Sequence, residues 1–535
     1  MGTSLLEICK DLNIRLDNQL CGAIVNNKVK DLSFRIVKPK MVEFIDVSHR
    51  DGMRIYIRSL IFVTYVAVEE VFPHVTFRIM NAISNGYYCE LNGLGRPVET
   101  EDIAKIKKEM HRLINADLAF TKTSIFTEDA IDRLMQQRLE EKARLFEQQG
   151  HLYTDLYFLS GYGNYLYGDL LPSTGYLSNF GLEPYYDGIL LQPPKRKDFS
   201  KLRRMGYHDK LFEIYQEQKE WASIIRVSTV GHLNDMISKN KGGEVIKISE
   251  ALHEKKIAEI ANIISSQNDK IKVVLIAGPS ASGKTTFSKR LGVQLAVNGL
   301  RPYQISLDDY FVDREHTPKD ENGEYDFEAL EAIDIEYFNH QLIELFEGKK
   351  IPLPRFDFHL GKRTKGRKLQ LGDGDVLIVE GIHGMNPNLL TEVQDENTFK
   401  IFISALTQIS MDEHIHISTA DNRLLRRIIR DSKYRGYHAS DTIKRWPSVR
   451  KGEKRNIFPY QENADIMFNS ATLYEFAVLK EYGETQLKTV LENQNEYTEA
   501  TRLLEFLSFF KQLSDREIPP TSLLREFVGG SSFAY

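Results

Sequence analysis

The chain has 535 residues, of which 42% are apolar and 27% charged, and its formal net charge is −5. Such a length exceeds one ordinary domain and points to about three or four, while the composition is that of a globular protein. The acidic balance supplies no global basic field, which argues against nucleic acid or a membrane surface as a bulk partner. Three scattered cysteines, Cys9, Cys21 and Cys89, exclude a disulfide framework or a cysteine-rich zinc site and fit a reducing compartment.

In chain order, the opening MGTSLLEICKDL has no basic region followed by an apolar core, so no signal peptide is expected. Residues 1–45 read as a small α+β unit: SLLEICKDL has helical spacing, GAIVNNKVKDL gives two short strands about an Asn-Asn turn, and VEFIDV a third. Residues 46–200 are mixed. YIRSLIFVTYVAVEEVF reads as a buried helix and TEDIAKIKKEMHRLI as an amphipathic one opened by a Thr/Glu cap. TEDAIDRLMQQRLEEKARLFEQQ is expected to be one helix capped at Thr127, and the Gly/Pro/Tyr-rich stretch at 157–188 is expected to break regular structure. The apolar run LIFVTYVAV at 60–68 is far short of a membrane span, so a cytoplasmic location without membrane contact is expected. QPPKRKDFSK near 195–205 reads as a linker, and residues 201–268 as a helical segment between domains. From 269 to 480 strands alternate with helices, as in a parallel sheet with crossover helices, the strands being VVLIA, YQISL, DVLIVE and KIFIS. Residues 481–535 form a C-terminal helical extension.

The most informative stretch is IKVVLIAGPSASGKTT. Its apolar strand gives way to Gly278-Pro279-Ser280-Ala281-Ser282-Gly283-Lys284-Thr285-Thr286 and then to a helix. That is G-x-x-x-x-G-K-[ST] between the strand and helix it requires, a loop whose amides and helix N-terminus cradle phosphates. Lys284 would reach the β/γ-phosphates and the Thr285 hydroxyl would hold Mg²⁺. Three further groups fit phosphoryl transfer. YQISL runs into Asp308-Asp309-Tyr310-Phe311, which puts a carboxylate at a strand's carboxyl end, where an alcohol's proton can be accepted. DVLIVEGI puts Glu380 at the end of another strand, beside the expected metal. In DNRLLRRIIRDSKYRG, Arg423, Arg427 and Arg430 share a helical face and Arg435 follows, which reads as a lid over phosphates.

GPSASGKTT, LDDYF, YDFEALEAIDIEYF, GKKIPLPRFDFHLGKR, DVLIVEGI and RRIIRDSKYRG together resemble the uridine kinase and phosphoribulokinase family of P-loop kinases. The resemblance implies an α/β P-loop fold using ATP and Mg²⁺. It implies Asp308 as base for a nucleoside 5′-hydroxyl and Thr285 and Glu380 as metal residues. Lys284, Arg430 and Arg435 would act on the phosphates, Arg427 would approach the nucleoside, and Asp326 would hold ribose hydroxyls. Tyr310, Phe356, Phe358 and His359 complete the implied substrate contacts. The base-reading region departs from the uridine kinase pattern, with Phe356-Asp357-Phe358 followed by Gly361, His359 two places early, and Tyr437 where a lid arginine is expected. A nucleoside follows from the resemblance; uridine in particular does not.

The front resembles two domains of threonyl-tRNA synthetases: residues 1–45 the ubiquitin-like domain, and 46–200 the editing domain. The resemblance rests on His49 in SHRDGM, Gly86-Tyr87-Tyr88, TEDIAKIKKEM and Pro172-Ser173-Thr174-Gly175. That family's working site is a His-x-x-x-His and a Cys-x-x-x-His pair. Here Met53, Leu166 and Leu170 stand at three of those four positions, so a scaffold without editing chemistry is expected. The whole layout resembles bacterial nucleoside kinases, for which a homo-oligomer is expected. Two rival readings are a kinase for another alcohol, such as a sugar phosphate or pantothenate, and an RNA-binding regulator that uses ATP as a switch.

Overall fold

The computed structural model describes residues 2–319, 323, 325–357 and 360–534. Helix α1 (Leu5–Asp11) is followed by β1 (Leu20–Val25), β2 (Lys28–Lys30) and β3 (Val42–Asp46), which form a sheet in the order β2-β1-β3. Asn26 and Asn27 turn the first hairpin with φ of 47° and 57°, as a two-residue hairpin turn demands. Leu5 of α1 is buried with Ala23 and Val25 of the sheet.

The next segment holds α2 (Arg50–Val71), β4 (Thr76–Ile83), β5 (Gly86–Asn92), α3 (Thr100–Asn115), β6 (Thr121–Phe126), α4 (Thr127–Gln136) and α5 (Glu140–Gln149). Strands β7 (Tyr153–Leu159), β8 (Tyr162–Asn164), β9 (Gly181–Tyr185) and β10 (Gly188–Gln192) complete it. They make antiparallel sheets in the orders β9-β10-β5-β4 and β8-β7-β6, with α2 buried on most of its faces. Three expectations are corrected here. The single helix over 127–149 breaks between α4 and α5, where Arg138 takes a left-handed φ of 59° and reaches Glu69 at 2.7 Å. Thr127 does not cap it, its hydroxyl being paired with that of Thr154 at 2.9 Å. The Gly/Pro/Tyr-rich stretch carries β8, β9 and part of β7, because tight turns at Ser160-Gly161 and Tyr186 let short aromatic strands pair.

Helices α6 (Asp209–Ile225), α7 (Val230–Ser238) and α8 (Gly242–Ser265) lead into the second half. There follow β11 (Val273–Ala277), α9 (Lys284–Val297), β12 (Arg301–Ser306), α10 (Ile335–Phe346), and the hairpin β13 (Ile351–Asp357) and β14 (Lys362–Leu369). Then come β15 (Asp375–Glu380), β16 (Thr398–Ser404), α11 (Thr419–Arg435), α12 (Ala439–Asn456), β17 (Ile466–Asn469), α13 (Glu475–Leu487), α14 (Tyr497–Ser508) and α15 (Arg525–Val528). The sheet is parallel throughout, in the order β12-β15-β11-β16-β17, with the wholly buried β11 at its centre. All four strands expected from the sequence are present, and this is the α/β P-loop fold. The two halves share one core: Ile83, Tyr88, Tyr185 and Leu190 pack in the same cluster as Leu275, Ile305 and Phe338.

Helix α11 is fastened by ion pairs inside the protein. Arg426 is fully buried and gives Nε and Nη2 to Glu475 at 3.0 and 2.6 Å. A buried charge that loses its partner is costly, so Arg426→Met is expected to destabilise by about 3–5 kcal/mol. Denaturant unfolding measures this; a loss below about 1 kcal/mol would mean that Glu475 finds another partner.

Candidate active site

The phosphate loop follows β11 because only glycine fits its first position. A Cβ at Gly278 would lie 2.0 Å from the carbonyl oxygen of Ile403 in the neighbouring β16. Gly283, with φ of 84°, caps α9 and turns the chain into it. The loop is gripped from behind. Arg423 donates to the Ser280 carbonyl at 3.1 Å and Arg426 to that of Ala281 at 3.4 Å, while Glu453 accepts from the Ser280 amide at 3.1 Å. Lys284 rests its ammonium on the carbonyls of Gly278 and Pro279 at 2.9 and 3.2 Å. The Thr285 hydroxyl donates to Glu380 at 3.2 Å.

The strand register brings the acids together. Glu380 at the end of β15 pairs with Ile276 on one side and Ser306 on the other, and Asp308 lies two residues beyond Ser306 in a short 3₁₀ turn. Burial pushes the Asp308 carboxyl above its ordinary value, against the pull of Lys284, Arg435 and Arg430. Burial also raises Glu380, to about 7, opposed by Lys284 and reinforced by Asp308 and Glu526. Asp309 is the structural member of its pair: it accepts the Phe356 amide at 3.1 Å and so pins β13 to the strand end.

The arginines of α11 divide into two classes. Arg423 is no lid cation; it is fully buried and bidentate to Glu453, because α12 supplies an acid that the helical repeat alone does not reveal. Arg427, Arg430 and Arg435 share a single anchor, Asp431, at 3.2, 3.4 and 3.5 Å. Three cations on one carboxylate leave an excess of positive charge along this part of α11. Arg427 also donates to the Ser280 hydroxyl of the loop at 2.9 Å.

Other candidates separate clearly. Tyr310 is buried, its hydroxyl donating to Gln341 at 2.9 Å and its ring packed edge-on against Phe338 at 4.9 Å, so its side chain serves the core. Phe356 is buried against Phe311. Asp326 is held by Arg455 at 2.6 Å, and its other oxygen caps the Glu328 amide at 3.2 Å. Phe358 and His359 lie outside the described residues. Two residues went unread in the sequence. Asp431 is one; the other is Glu328, which lies within the fields of Arg427, Lys284 and Asp308. Burial and then Glu453 push its carboxyl up to about 7, and its Oε2 has no hydrogen-bond partner among the described residues.

The C-terminal segment closes on the loop. Glu526 in α15 accepts from the Thr286 amide at 3.3 Å and from its hydroxyl at 2.7 Å, and Lys289 of α9 donates to the Ala534 carbonyl. A carboxylate therefore sits on an amide at the N-terminus of α9, where phosphate is expected. Beside it a cavity of about 910 Å³ is bounded by α9, β12 and the β13–β14 hairpin, with Thr285, Asp309, Glu380 and Phe533 in its lining.

A hydroxyl and a buried carboxylate make a hard-oxygen donor pair suited to Mg²⁺. The upward push that Glu380 receives from Asp308 and Glu526 is what a divalent cation would relieve. Comparison with known proteins agrees with this geometry. The sequence model of the phosphoribulokinase / uridine kinase family matches residues 273–476. A uridine kinase of Staphylococcus epidermidis is 30% identical over 200 residues, which are 36% of this chain and 86% of that protein. The chain belongs to the phosphoribulokinase/uridine kinase family. It is therefore a P-loop kinase, and membership implies ATP and Mg²⁺. A threonine–tRNA ligase of Desulforamulus reducens is 25% identical over 183 residues, 34% of this chain and only 29% of that protein, and such matches fall in the N-terminal region. A possible uridine kinase from Bacillus stearothermophilus, among solved structures, is 22% identical and covers 37% of this chain and 89% of its own, with a TM-score of 0.25.

Two outcomes follow for a family member built this way. Glu526→Gln is expected to tighten ATP binding about fivefold, since a charged acceptor outbids a neutral one for the Thr286 donors by about 1 kcal/mol. Calorimetric titration with ATP reads this, and an unchanged affinity would mean that phosphate and Glu526 do not compete. Glu328 carries a proton more tightly folded than unfolded, about 7 against an ordinary 4.5. Its contribution to stability is full below the lower value and lost as pH rises through the upper one. The melting temperature of Glu328→Gln relative to the unmodified protein should therefore climb from about pH 5 to about pH 8; a flat difference would remove the raised carboxyl from the account.

Proposed function

We propose that this protein is an ATP- and Mg²⁺-dependent kinase that phosphorylates the 5′-hydroxyl of a nucleoside. The observation that carries the reading is the Asp308 carboxylate, at the end of β12 and within the fields of Lys284, Arg430 and Arg435. In the proposed step the 5′-oxygen bonds to the γ-phosphorus of ATP as the bond from that phosphorus to the β–γ bridging oxygen breaks. The hydroxyl proton passes to Asp308, and the products are a nucleoside monophosphate and ADP. Lys284, Arg430 and Arg435 offset the charge on the transferring group. Thr285 and Glu380 would hold the metal, which supplies charge neutralisation between the outer phosphates. We assign the sugar hydroxyls to Glu328 instead of Asp326, because Asp326 is engaged by Arg455 and Glu328 keeps an acceptor with no partner among the described residues.

The nucleoside is favoured by the uridine kinases among the relatives, including one of Ureaplasma parvum that is 27% identical over 195 residues. The front half is read as scaffold: Leu166 and Leu170, where synthetases carry metal ligands, are 2% and 1% exposed in its apolar core, and His49 caps α2 by accepting the Asp51 amide at 3.2 Å.

Mass spectrometry of the products formed from ATP, Mg²⁺ and a mixture of nucleosides, sugar phosphates and pantothenate tests the assignment. A nucleoside monophosphate is expected as the product. Asp308→Asn should keep ATP affinity while losing about 10²- to 10⁴-fold in turnover. Phosphorylation of only a non-nucleoside alcohol would overturn the substrate, and full turnover by Asp308→Asn would overturn the base.

A further inference from the structure

A second cavity, of about 670 Å³, lies between the two halves and shares no lining residue with the phosphate loop. Its walls come from β4 and β5 of the front half, from α6, and from residues 407–413, which belong to the connection between β16 and α11. Three side chains in it are more than nine-tenths buried and unsatisfied. Among the described residues, Gln218, 4% exposed, has no partner for either amide atom. The Thr407 hydroxyl, in a residue 6% exposed, has none, and neither has Oε2 of Glu413, 2% exposed. Buried polar groups in folded proteins are nearly always paired, so three orphans on one cavity point to something that pairs them.

The walls are fixed in place by bonds of their own. The Ile79 amide donates to the Glu413 carbonyl at 2.8 Å. Ser410 exchanges backbone hydrogen bonds with the α7 entry, from its amide to Ser228 at 3.2 Å and from Val230 to its carbonyl at 3.0 Å. Lys142 and Asp412, 1% and 2% exposed, pair at 3.3 Å behind the connection. The space is thus built, and its volume suits a small ligand of mononucleotide size.

Charge and shape narrow the class. The guanidiniums of Arg78 and Arg226 line the cavity and make no hydrogen bond or ion pair among the described residues, whereas Lys219 is spent on Glu90 at 2.8 Å. Two unspent guanidiniums suit a phosphate, which they bind in bidentate fashion. A planar amide with donor and acceptor both unspent matches the edge of a heterocyclic base, and Tyr215 adds an aromatic surface. We propose that this cavity is a second, non-catalytic site for a nucleoside monophosphate, with the base toward Gln218 and Thr407 and the phosphate toward Arg78 and Arg226. This holds whichever alcohol the kinase site phosphorylates.

The test is calorimetric titration of the full chain with a panel of nucleoside monophosphates, and separately with inorganic phosphate. A non-hydrolysable ATP analogue and Mg²⁺ are kept saturating. One or more monophosphates should bind, and Arg78→Ala with Arg226→Ala should weaken that binding about tenfold or more. Gln218→Leu, which leaves the charge alone, should weaken the nucleotide while kinase turnover and melting temperature stay unchanged. Three results would overturn the proposal: no panel member binding at millimolar concentration, which leaves a water-filled space; binding indifferent to both variants, which assigns it to the kinase cleft; or inorganic phosphate binding as tightly as any nucleotide.

Discussion

Two buried arginines tie the phosphate loop to the helix that faces it, and the rest of the cleft is arranged on that tie. Arg423 and Arg426 reach the carbonyls of Ser280 and Ala281 while each is neutralised by its own glutamate, Glu453 and Glu475. Burying such pairs gains little net stability, since desolvation offsets most of their attraction. What they secure is registry. The loop cannot shift against α11 without stranding a charge, so Arg427, Arg430 and Arg435, one to three turns further along, keep a fixed stance toward Lys284. The same pairs connect α12 and α13 to the loop, so helices distant in sequence share one frame.

Within that frame the cleft is rich in both signs. Lys284 and three arginines face Asp308, Glu328 and Glu380, and two of those acids are nonetheless raised to about 7. Cations close by have not compensated the cost of burial. A cleft in that state favours a ligand that brings its own metal and its own anion together, which is how a magnesium–triphosphate complex arrives. Glu526 fits the same logic: it places the chain's own carboxylate on the Thr286 donors.

The phosphate loop and its sheet were legible because the signal is local: glycine spacing, an apolar strand before and a helix after. Strand-end acids were legible for the same reason, since the register of a parallel sheet places them together. Where the chain is irregular that legibility ends. Asp326 and Glu328 lie two apart in a segment with no repeat to say which faces inward, and only the Arg455 contact separates them. Arg423 shares a helical face with Arg427, yet its fate is decided by Glu453, thirty residues on. Contacts such as Glu526 with Thr286, 240 residues apart, leave no mark in a local pattern. The strands β8 and β9 were obscured by the glycines and prolines that make their turns possible. The hairpin β13–β14 was hidden by Pro352, Pro354 and a charged outer edge.

The synthetase-like half is part of the same body as the kinase half, joined through a common core and through the buried Lys142–Asp412 pair. The proposed phosphoryl transfer, however, rests on the cleft alone. A crystal structure of the full chain with a non-hydrolysable ATP analogue, Mg²⁺ and a nucleoside tests it most directly. The account requires the terminal phosphate on Lys284, the metal on Thr285 and Glu380, and the acceptor hydroxyl within hydrogen-bond reach of Asp308. A triphosphate seated elsewhere, or an Asp308 carboxylate turned away from the acceptor, would contradict it.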